Sequence, residues 1–156
     1  MRLLYMKPKL KDLSQGSRIS FIRQYRRMSQ DEVSDKLGIT GECKRRTMTR
    51  YERGNRLPSD NRLKEIADIL NVNIELLKEY RFGCLSDFIY YFLWLEELFS
   101  NINIDFNNVA RLNDYNTENI REFINEWNKM KQKKNNRDIS YYEYLEWKLN
   151  YEVEHE

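Results

Sequence analysis

The chain has few residues with which to build a metal site or an active site. Its 156 residues include a single histidine, His155, and two cysteines, Cys43 and Cys84, with no Cys-x-x-Cys pair. A structural zinc site needs about four Cys, His or Asp ligands, so a standard one is excluded. The sequence also lacks a glycine-rich phosphate loop and a nucleophile elbow. We therefore predict no enzymatic activity and no cofactor, and interpret both cysteines as reduced thiols. A redox-sensing Cys43, beside three basic residues, is the alternative.

Proline and glycine are also scarce, with two and five copies. Long stretches therefore lack helix breakers, and no run alternates apolar and polar residues as a half-buried strand does. The sequence predicts an all-α fold. It contains no span of about 20 apolar residues to cross a bilayer, and its N-terminus lacks the apolar region of a signal peptide. We expect a cytoplasmic protein that makes no membrane contact.

Charge is abundant and unevenly placed. Residues 1–84 hold 19 Lys and Arg against 11 Asp and Glu, a net charge of +8, whereas residues 85–156 hold 8 against 14, a net charge of −6. A basic half followed by an acidic half is expected when one end of a protein faces a polyanion. Chance scatter of solvated charge is the alternative. The basic excess is concentrated in one short run, which favours a function.

That run lies in residues 29–56, which predict two helices joined by a glycine turn. Val33 and Leu37 recur at helical spacing, and Gly38 ends the first helix where a positive φ is needed. In the second helix, Met48 interrupts a series of Lys, Arg and Thr residues. Such a helix can dock on a core through a thin apolar stripe and turn its other face to phosphates and guanine edges. The segment indicates binding to double-stranded DNA.

Further helices complete a module over residues 12–80. The spacing of Ile19 and Ile22 predicts a first helix from about Ser17 to Met28. The later helix starts are predicted from capping signals: Ser29 with Glu32 as a capping box, Pro58-Ser59-Asp60 for the fourth helix and Asn73 for the fifth.

The motifs Ser29-Gln30, Leu37-Gly38-Ile39-Thr40 and Tyr51-Glu52-Arg53-Gly54-Asn55 resemble those of the Xre/Cro-repressor-like helix-turn-helix family. The similarity covers residues 12–80, about half of the chain. It implies a five-helix, phage-repressor-like DNA-binding domain. It also implies that Glu52 pairs with Arg23 on the first helix, beneath the DNA surface, as a structural ion pair.

The resemblance assigns roles to the residues around the second helix. When the second helix is aligned with the family on Met48, four residues fall at the positions that read bases in similar domains: Arg45, Arg46, Thr49 and Arg50. Arginine at such positions favours guanine O6 and N7. The residues expected to bind phosphates flank these: Gln30, Thr40, Lys44, Arg53, Asn55 and Arg56. An N-terminal arm that reaches the adjacent groove is expected from Lys7, Lys9 and Lys11. No catalytic residue and no metal ligand are predicted.

One departure from the family pattern is the distance between Gly38 and Met48, which is about four residues longer than usual. The extra residues lie within Gly41-Glu42-Cys43-Lys44. Four residues correspond to about 400° of helix rotation, so they fit as one extra helical turn without a change of phase. They fit equally as a longer loop, which Gly41 favours. The sequence leaves both alternatives open.

The C-terminal region, residues 85–156, is predicted to be helical and to assemble the protein. A helix from Asp87 to Phe99, capped by Ser86, is apolar almost all round, which indicates burial on more than one side. Two further helices are predicted, over residues 116–134 and after a Ser140–Glu143 capping box. We interpret the lysines of residues 129–134 as a solvated helix end, and an extra DNA contact is the alternative. We expect a homodimer interface formed by Phe88, Tyr91, Trp94, Leu95 and Leu98.

These features predict a sequence-specific transcriptional regulator, of the repressor kind, that acts as a homodimer on a palindromic operator. A single small module reads only a few base pairs, so such domains work in symmetric pairs. The alternative is a protein-directed function. The acidic, aromatic C-terminal half would then bind a protein target, as in a mobile-element inhibitor such as an anti-CRISPR protein or an antitoxin. The helix-turn-helix would regulate expression of the protein itself.

Overall fold

The computed structural model describes residues 7–99 and 118–153. The chain divides into two compact units, Met1–Glu79 and Tyr80–Glu156. Across the described residues the structure has seven α-helices, one 3-10 helix and no strand, so the all-α prediction is confirmed. The N-terminal unit contains α1 (Gln15–Tyr25), α2 (Gln30–Lys36), α3 (Lys44–Glu52), α4 (Asp60–Leu70) and the 3-10 helix (Ile74–Leu76). The C-terminal unit contains α5 (Leu85–Leu98), α6 (Glu118–Asn135) and α7 (Tyr141–Leu149).

The core of the N-terminal unit is formed by one apolar face from each helix. α3 packs against both α1 and α2, and α4 packs against α2 and the 3-10 helix. The apolar side chains that are most deeply buried are Ile19, Ile22, Val33, Met48, Ile66, Leu70, Leu76 and Leu77. This arrangement holds α3 by one narrow side and leaves its other side in solvent.

Two helices of this unit differ from their predicted extents. α1 spans Gln15–Tyr25 rather than Ser17 to Met28, because the Ser14 side chain caps it earlier. It ends early because Arg27 takes the left-handed conformation, with φ of 57°. The predicted fifth helix is a single 3-10 turn. Asn73 caps that turn as predicted, since its side chain accepts a hydrogen bond from the Glu75 N–H.

Arg18 on α1 and Arg26, which caps the C-terminus of that helix, stabilise the ends of distant elements. The Arg18 side chain is buried and donates to the carbonyl oxygens of Leu76, at 2.6 Å, and Lys78, at 2.9 Å. Arg26 donates to the carbonyl oxygens of Leu70 and Asn71, at the C-terminus of α4. Carbonyls at helix ends lack intrahelical partners, so the guanidinium groups satisfy them and fix α1 against α4 and the 3-10 turn.

The core of the C-terminal unit comes from α5, α6 and α7. α6 packs against both α5 and α7. The Trp127 indole N–H donates to the Tyr144 hydroxyl at 2.7 Å, in the buried region between α6 and α7. The Ser140–Glu143 capping box at the start of α7 is confirmed. The predicted start of the preceding helix, at residue 116, lies outside the described residues.

The start of α5 differs from the prediction. The helix begins at Leu85, and Cys84 occupies the N-cap position without a side-chain hydrogen bond. Ser86 therefore lies inside the first turn instead of capping it. The Asp87 carboxylate accepts a hydrogen bond from the Arg81 N–H at 3.2 Å, so it holds the incoming chain against that turn.

A charged cluster lies inside the C-terminal unit. The Lys148 ammonium is buried and lies 2.6 Å from Glu97 and 3.1 Å from Glu96. Lys131 and Lys134 also approach Glu96, at 3.9 and 3.6 Å, so the interpretation of this lysine run as a solvated helix end is wrong for these two residues. Burial alone raises the pKa of Glu96, but these three lysines and the Tyr144 hydroxyl bring it below its usual value.

Candidate nucleic-acid interface

α2, the helix before the turn that leads to α3, begins with a capping box. The Ser29 side chain accepts from the Glu32 N–H, and the Glu32 carboxylate accepts from the Ser29 N–H at 2.6 Å, which confirms the predicted helix start. The helix ends after Lys36, and Gly38 follows with φ of 68°. A residue with a Cβ is strained in this left-handed conformation. Gly38 thus ends α2 where the sequence predicted.

The extra residues before α3 form a loop. Gly41 has φ of 83°, and the Lys44 N–H donates to the Gly41 carbonyl at 3.3 Å across a tight turn. α3 then begins at Lys44, and Cys43 provides no side-chain cap. Met48 is fully buried, so the helix docks through the residue that the sequence identified. The extra-turn alternative is therefore excluded.

The solvent-facing side of α3 is basic. Arg45, Arg46 and Arg50 are exposed, and Thr49 is partly exposed between them. Together with Arg53 and Asn55, these residues line an open groove of about 440 Å³, and none of the six is acidic. Four guanidinium groups line this groove, and Glu52, the one carboxylate in their stretch of sequence, is paired with Arg23, so the groove has a positive potential. The four groups also present the planar donors that fit phosphate oxygens or the O6 and N7 atoms of guanine.

An ion pair that is largely shielded from solvent fixes the C-terminal end of α3. The Arg23 Nε lies 2.5 Å from Glu52 Oε1, and the second Glu52 oxygen accepts from Arg23 at 3.0 Å. Arg23 also donates to the Met28 carbonyl at 2.7 Å, at the end of α1. The resemblance implied this pair, and its geometry makes Arg23 a structural residue.

Gln30 and Thr49 extend this network to the surface. Gln30 Nε2 donates to Glu52 at 2.8 Å, and the Thr49 hydroxyl lies 3.0 Å from Gln30 Oε1. The same hydroxyl lies 2.9 Å from the Arg45 carbonyl. Both side chains thus have protein partners, which hold them in place beside the arginines.

The remaining residues expected to bind phosphates differ in their exposure and in their partners. Thr40, Arg53, Asn55 and Arg56 are exposed. Lys44 is within 2.8 Å of the Asp35 carboxylate, and this hydrogen bond raises the pKa of Lys44. The Lys44 charge is therefore retained, but the Asp35 carboxylate partly neutralises it.

The N-terminal segment forms one wall of a larger groove. Lys9 and Lys11 are exposed, whereas Pro8 and Leu10 between them are buried and anchor the segment. The groove has a volume of about 840 Å³ and is lined by Lys9, Lys11, Asp12, Ser14, Ser17, Ser20, Gln24, Gln30, Arg45, Thr49, Glu52, Arg53 and Asn55. The hydroxyls of Ser14 and Ser17 hold the pKa of Asp12 below its usual value. The two lysines thus share a groove with two arginines of the α3 region.

The five residues predicted for a dimer interface occupy different environments. Phe88 is exposed, and Tyr91, Leu95 and Leu98 are partly exposed. Trp94 is only 2% exposed within a single copy of the chain, so a second copy could contact little of its side chain, and its predicted place in or next to the interface stays a prediction. Its indole belongs to the protomer's own core. The other four also stay a prediction.

The described residues provide neither a metal-binding cluster nor a membrane-spanning helix. Among the described residues, no three His, Cys, Asp or Glu side chains are grouped so that they could hold a metal ion. Cys43 and Cys84 are free, exposed thiols. None of the described helices combines the length and the apolar character needed to cross a membrane.

Residues 22–77 match the helix-turn-helix family. This stretch runs from α1 through the 3-10 turn and includes the arginine face, so the N-terminal unit carries a helix-turn-helix domain of the Xre/Cro-like kind. The family is one of DNA-binding transcription regulators, and DNA binding is the class of function that the domain defines. Searches of curated proteins and of solved structures returned no match.

Proposed function

We propose that the protein is a sequence-specific transcriptional repressor that binds double-stranded DNA as a homodimer on a palindromic operator. The observation that carries this proposal is the exposed face of α3. Arg45, Arg46 and Arg50 project from it, while Met48 and Tyr51 hold the opposite side against the core. A rigid helix with arginines on one face is the element that such domains insert into a major groove.

Arg46 and Arg50 are the residues that we assign to base edges. They are exposed and lie four residues apart, so their side chains lie one turn apart on the same face of α3. Arg45 and Thr49 border the same groove. Each arginine can donate two hydrogen bonds to one guanine, which discriminates against a wrong base by about 1–3 kcal/mol.

Phosphate contacts surround this reading surface. We assign them to Gln30, Thr40, Lys44, Arg53, Asn55 and Arg56, and add Lys9 and Lys11 because they share a groove with Arg53. These contacts position the domain on the duplex and carry no sequence information. A symmetric pair of domains then covers two half-sites about 34 Å apart. Occupancy of a promoter by such a dimer is sufficient for repression, which is why we propose a repressor.

The salt dependence of binding tests the phosphate contacts. The double variants Lys9→Ala/Lys11→Ala and Arg53→Ala/Arg56→Ala should each flatten the slope of log affinity against log salt by about 1.8, or about 0.9 for each cation removed. The reason is that fewer counterions leave the duplex when fewer phosphates are neutralised. The measurement is fluorescence anisotropy of a labelled duplex of arbitrary sequence between about 50 and 200 mM salt.

Lys64→Ala is the matched control for this experiment. Lys64 is an exposed lysine on α4 that lines neither groove. Its removal should leave the slope unchanged. If the two double variants behaved like Lys64→Ala, or if the wild-type protein bound the duplex without salt dependence, the proposed phosphate-binding surface would be wrong.

A further inference from the structure

α5 carries two apolar faces. One face is buried in the protomer and consists of Ile89, Tyr90, Leu93 and Trp94. The second, the outer stripe, consists of Phe88, Phe92 and Leu95 together with Phe99, which directly follows the last residue of α5, at successive spacings of four, three and four residues. Phe88 and Phe99 are 39% and 48% exposed, and Phe92 and Leu95 are partly exposed. Alternation of three and four residues is the spacing of a seam that packs against another helix.

An aromatic cluster extends the outer stripe at its N-terminal end. The ring of Phe82 lies 5.0 Å from that of Phe88 and 5.1 Å from that of Tyr91, between ring centroids. Phe82 is 44% exposed and takes a left-handed backbone conformation, with φ of 55°. Such a conformation is uncommon for a bulky residue. It places a third large ring in solvent beside the stripe.

The charges of α5 point away from the outer stripe. The helix has three charged residues, all of them acidic. Glu96 and Glu97 contact Lys148 inside the protomer, and Asp87 accepts the Arg81 N–H. A second copy of the same stripe therefore meets rings and a leucine, and none of the three carboxylates of α5 belongs to the stripe. A basic or acidic partner would find no complementary charge on this stripe.

We propose that the outer stripe of α5 packs against the same stripe of a second copy across a two-fold axis. This inference rests on the proposed function, because it specifies the surface that forms the DNA-binding homodimer. An isologous helix pair uses one patch twice, so a stripe that is apolar along its length is self-complementary. The interface then contains Phe88 and Leu95 of the residues predicted from the sequence and adds Phe92 and Phe99. Its stripe omits Tyr91, Trp94 and Leu98.

The exposed area indicates how strong this dimer is. A phenylalanine can bury about 150–250 Å², so the exposed parts of Phe88 and Phe99 together leave on the order of 150 Å² in water. A standard interface buries about 800 Å² on each partner. The stripe and Phe82 supply its apolar centre and less than its full area. We therefore expect a dissociation constant on the order of micromolar.

Sedimentation equilibrium of the full chain without DNA tests the interface. At tens of micromolar, the wild-type protein should have twice its chain mass of 19.2 kDa. The double variant Phe88→Glu/Phe99→Glu should raise the dissociation constant at least about 100-fold, because association would bury four carboxylates in an apolar seam. Phe88→Leu, which keeps the seam apolar, should change it less than about tenfold.

Tyr142→Glu is the matched control. Tyr142 is an aromatic residue of similar exposure, 42%, on α7 and outside the stripe. The Tyr142→Glu substitution should leave the dimer intact. Because Phe88 and Phe99 are exposed, the double variant should also keep the far-ultraviolet circular dichroism and the cooperative melting of the wild-type protein. A folded double variant that dimerises like Tyr142→Glu would overturn the proposal.

DNA binding separates this inference from the proposed function. If the wild-type protein is a monomer at every concentration yet binds DNA specifically, the stripe contacts another part of the chain or a different protein, and the proposed interface is wrong. If the double variant dissociates the dimer but no form binds DNA, the interface stands and the proposed function fails. If the proposed interface and the proposed function are both right, the double variant should bind a single half-site like the wild-type protein. It should lose the preference for the paired site.

Discussion

Glu52→Ala is expected to destabilise the N-terminal unit by about 3–5 kcal/mol, the largest effect that we predict. Glu52 is the sole carboxylate that contacts both Arg23 and Gln30 among the described residues, and its side chain is 6% exposed. Removing it leaves the Arg23 guanidinium, 12% exposed, without its counter-charge and the Gln30 amide without its acceptor. Removing one partner leaves the other charged group in a poorly solvated site. This lowers the free energy of unfolding by more than the intact pair contributes to it.

Urea unfolding followed by far-ultraviolet circular dichroism measures this loss. All three tryptophans, at 94, 127 and 147, lie in the C-terminal unit. A loss confined to the N-terminal unit therefore shifts the circular dichroism transition and leaves the tryptophan fluorescence transition in place. Glu65→Ala is the control. It removes an exposed ion pair with Arg62 and should change stability by less than about 0.5 kcal/mol. Equal effects of the two substitutions would contradict a structural role for Glu52.

Gly16→Ala is expected to cost about 2 kcal/mol or more. A Cβ at Gly16 would lie 2.6 Å from the Glu52 carbonyl oxygen and closer still to that of Tyr51. Both obstacles are backbone atoms at the end of α3, so no side-chain rotation relieves them. Alanine gains about 1 kcal/mol in helix propensity over glycine. We expect the overlap to outweigh this gain, because α1 must move away from α3.

Gly83→Ala is the matched control, since a Cβ at Gly83 meets no atom within 4 Å. It should be close to neutral in the same unfolding experiment. Gly16→Ala should also weaken DNA binding, because α1 supports the end of the helix that carries Arg50. If Gly16→Ala were as stable as the wild-type protein, the close approach of α1 to α3 would be contradicted.

The parts of the fold that the sequence predicted depend on local chemistry. Ser29 with Glu32, and Ser140 with Glu143, form capping boxes from residues three apart in sequence. Met48 could be identified because it is the one apolar residue in its immediate run of Lys, Arg and Thr, so it had to dock the helix. Such signals need no knowledge of the tertiary structure.

The parts that the sequence did not predict depend on residues far apart in the chain. Arg18 is buried because it reaches the carbonyls of Leu76 and Lys78, about 60 residues away. Lys148 is buried by its ion pairs with Glu96 and Glu97, on another helix. A charged residue gives no local sign of such partners. The sequence also could not show which face of α5 is buried, because a helix that is apolar almost all round has no single hydrophobic face.

Selection of bound sites from a random DNA library at fixed salt is the most direct test of sequence-specific DNA binding. We predict enrichment of a two-fold symmetric site with half-sites about 34 Å apart and guanine at positions contacted by arginine. Arg46→Ala and Arg50→Ala should each relax one or two positions and lose about 1–3 kcal/mol on the selected site. No enriched sequence, or unchanged affinity and preference in both variants, would contradict the account.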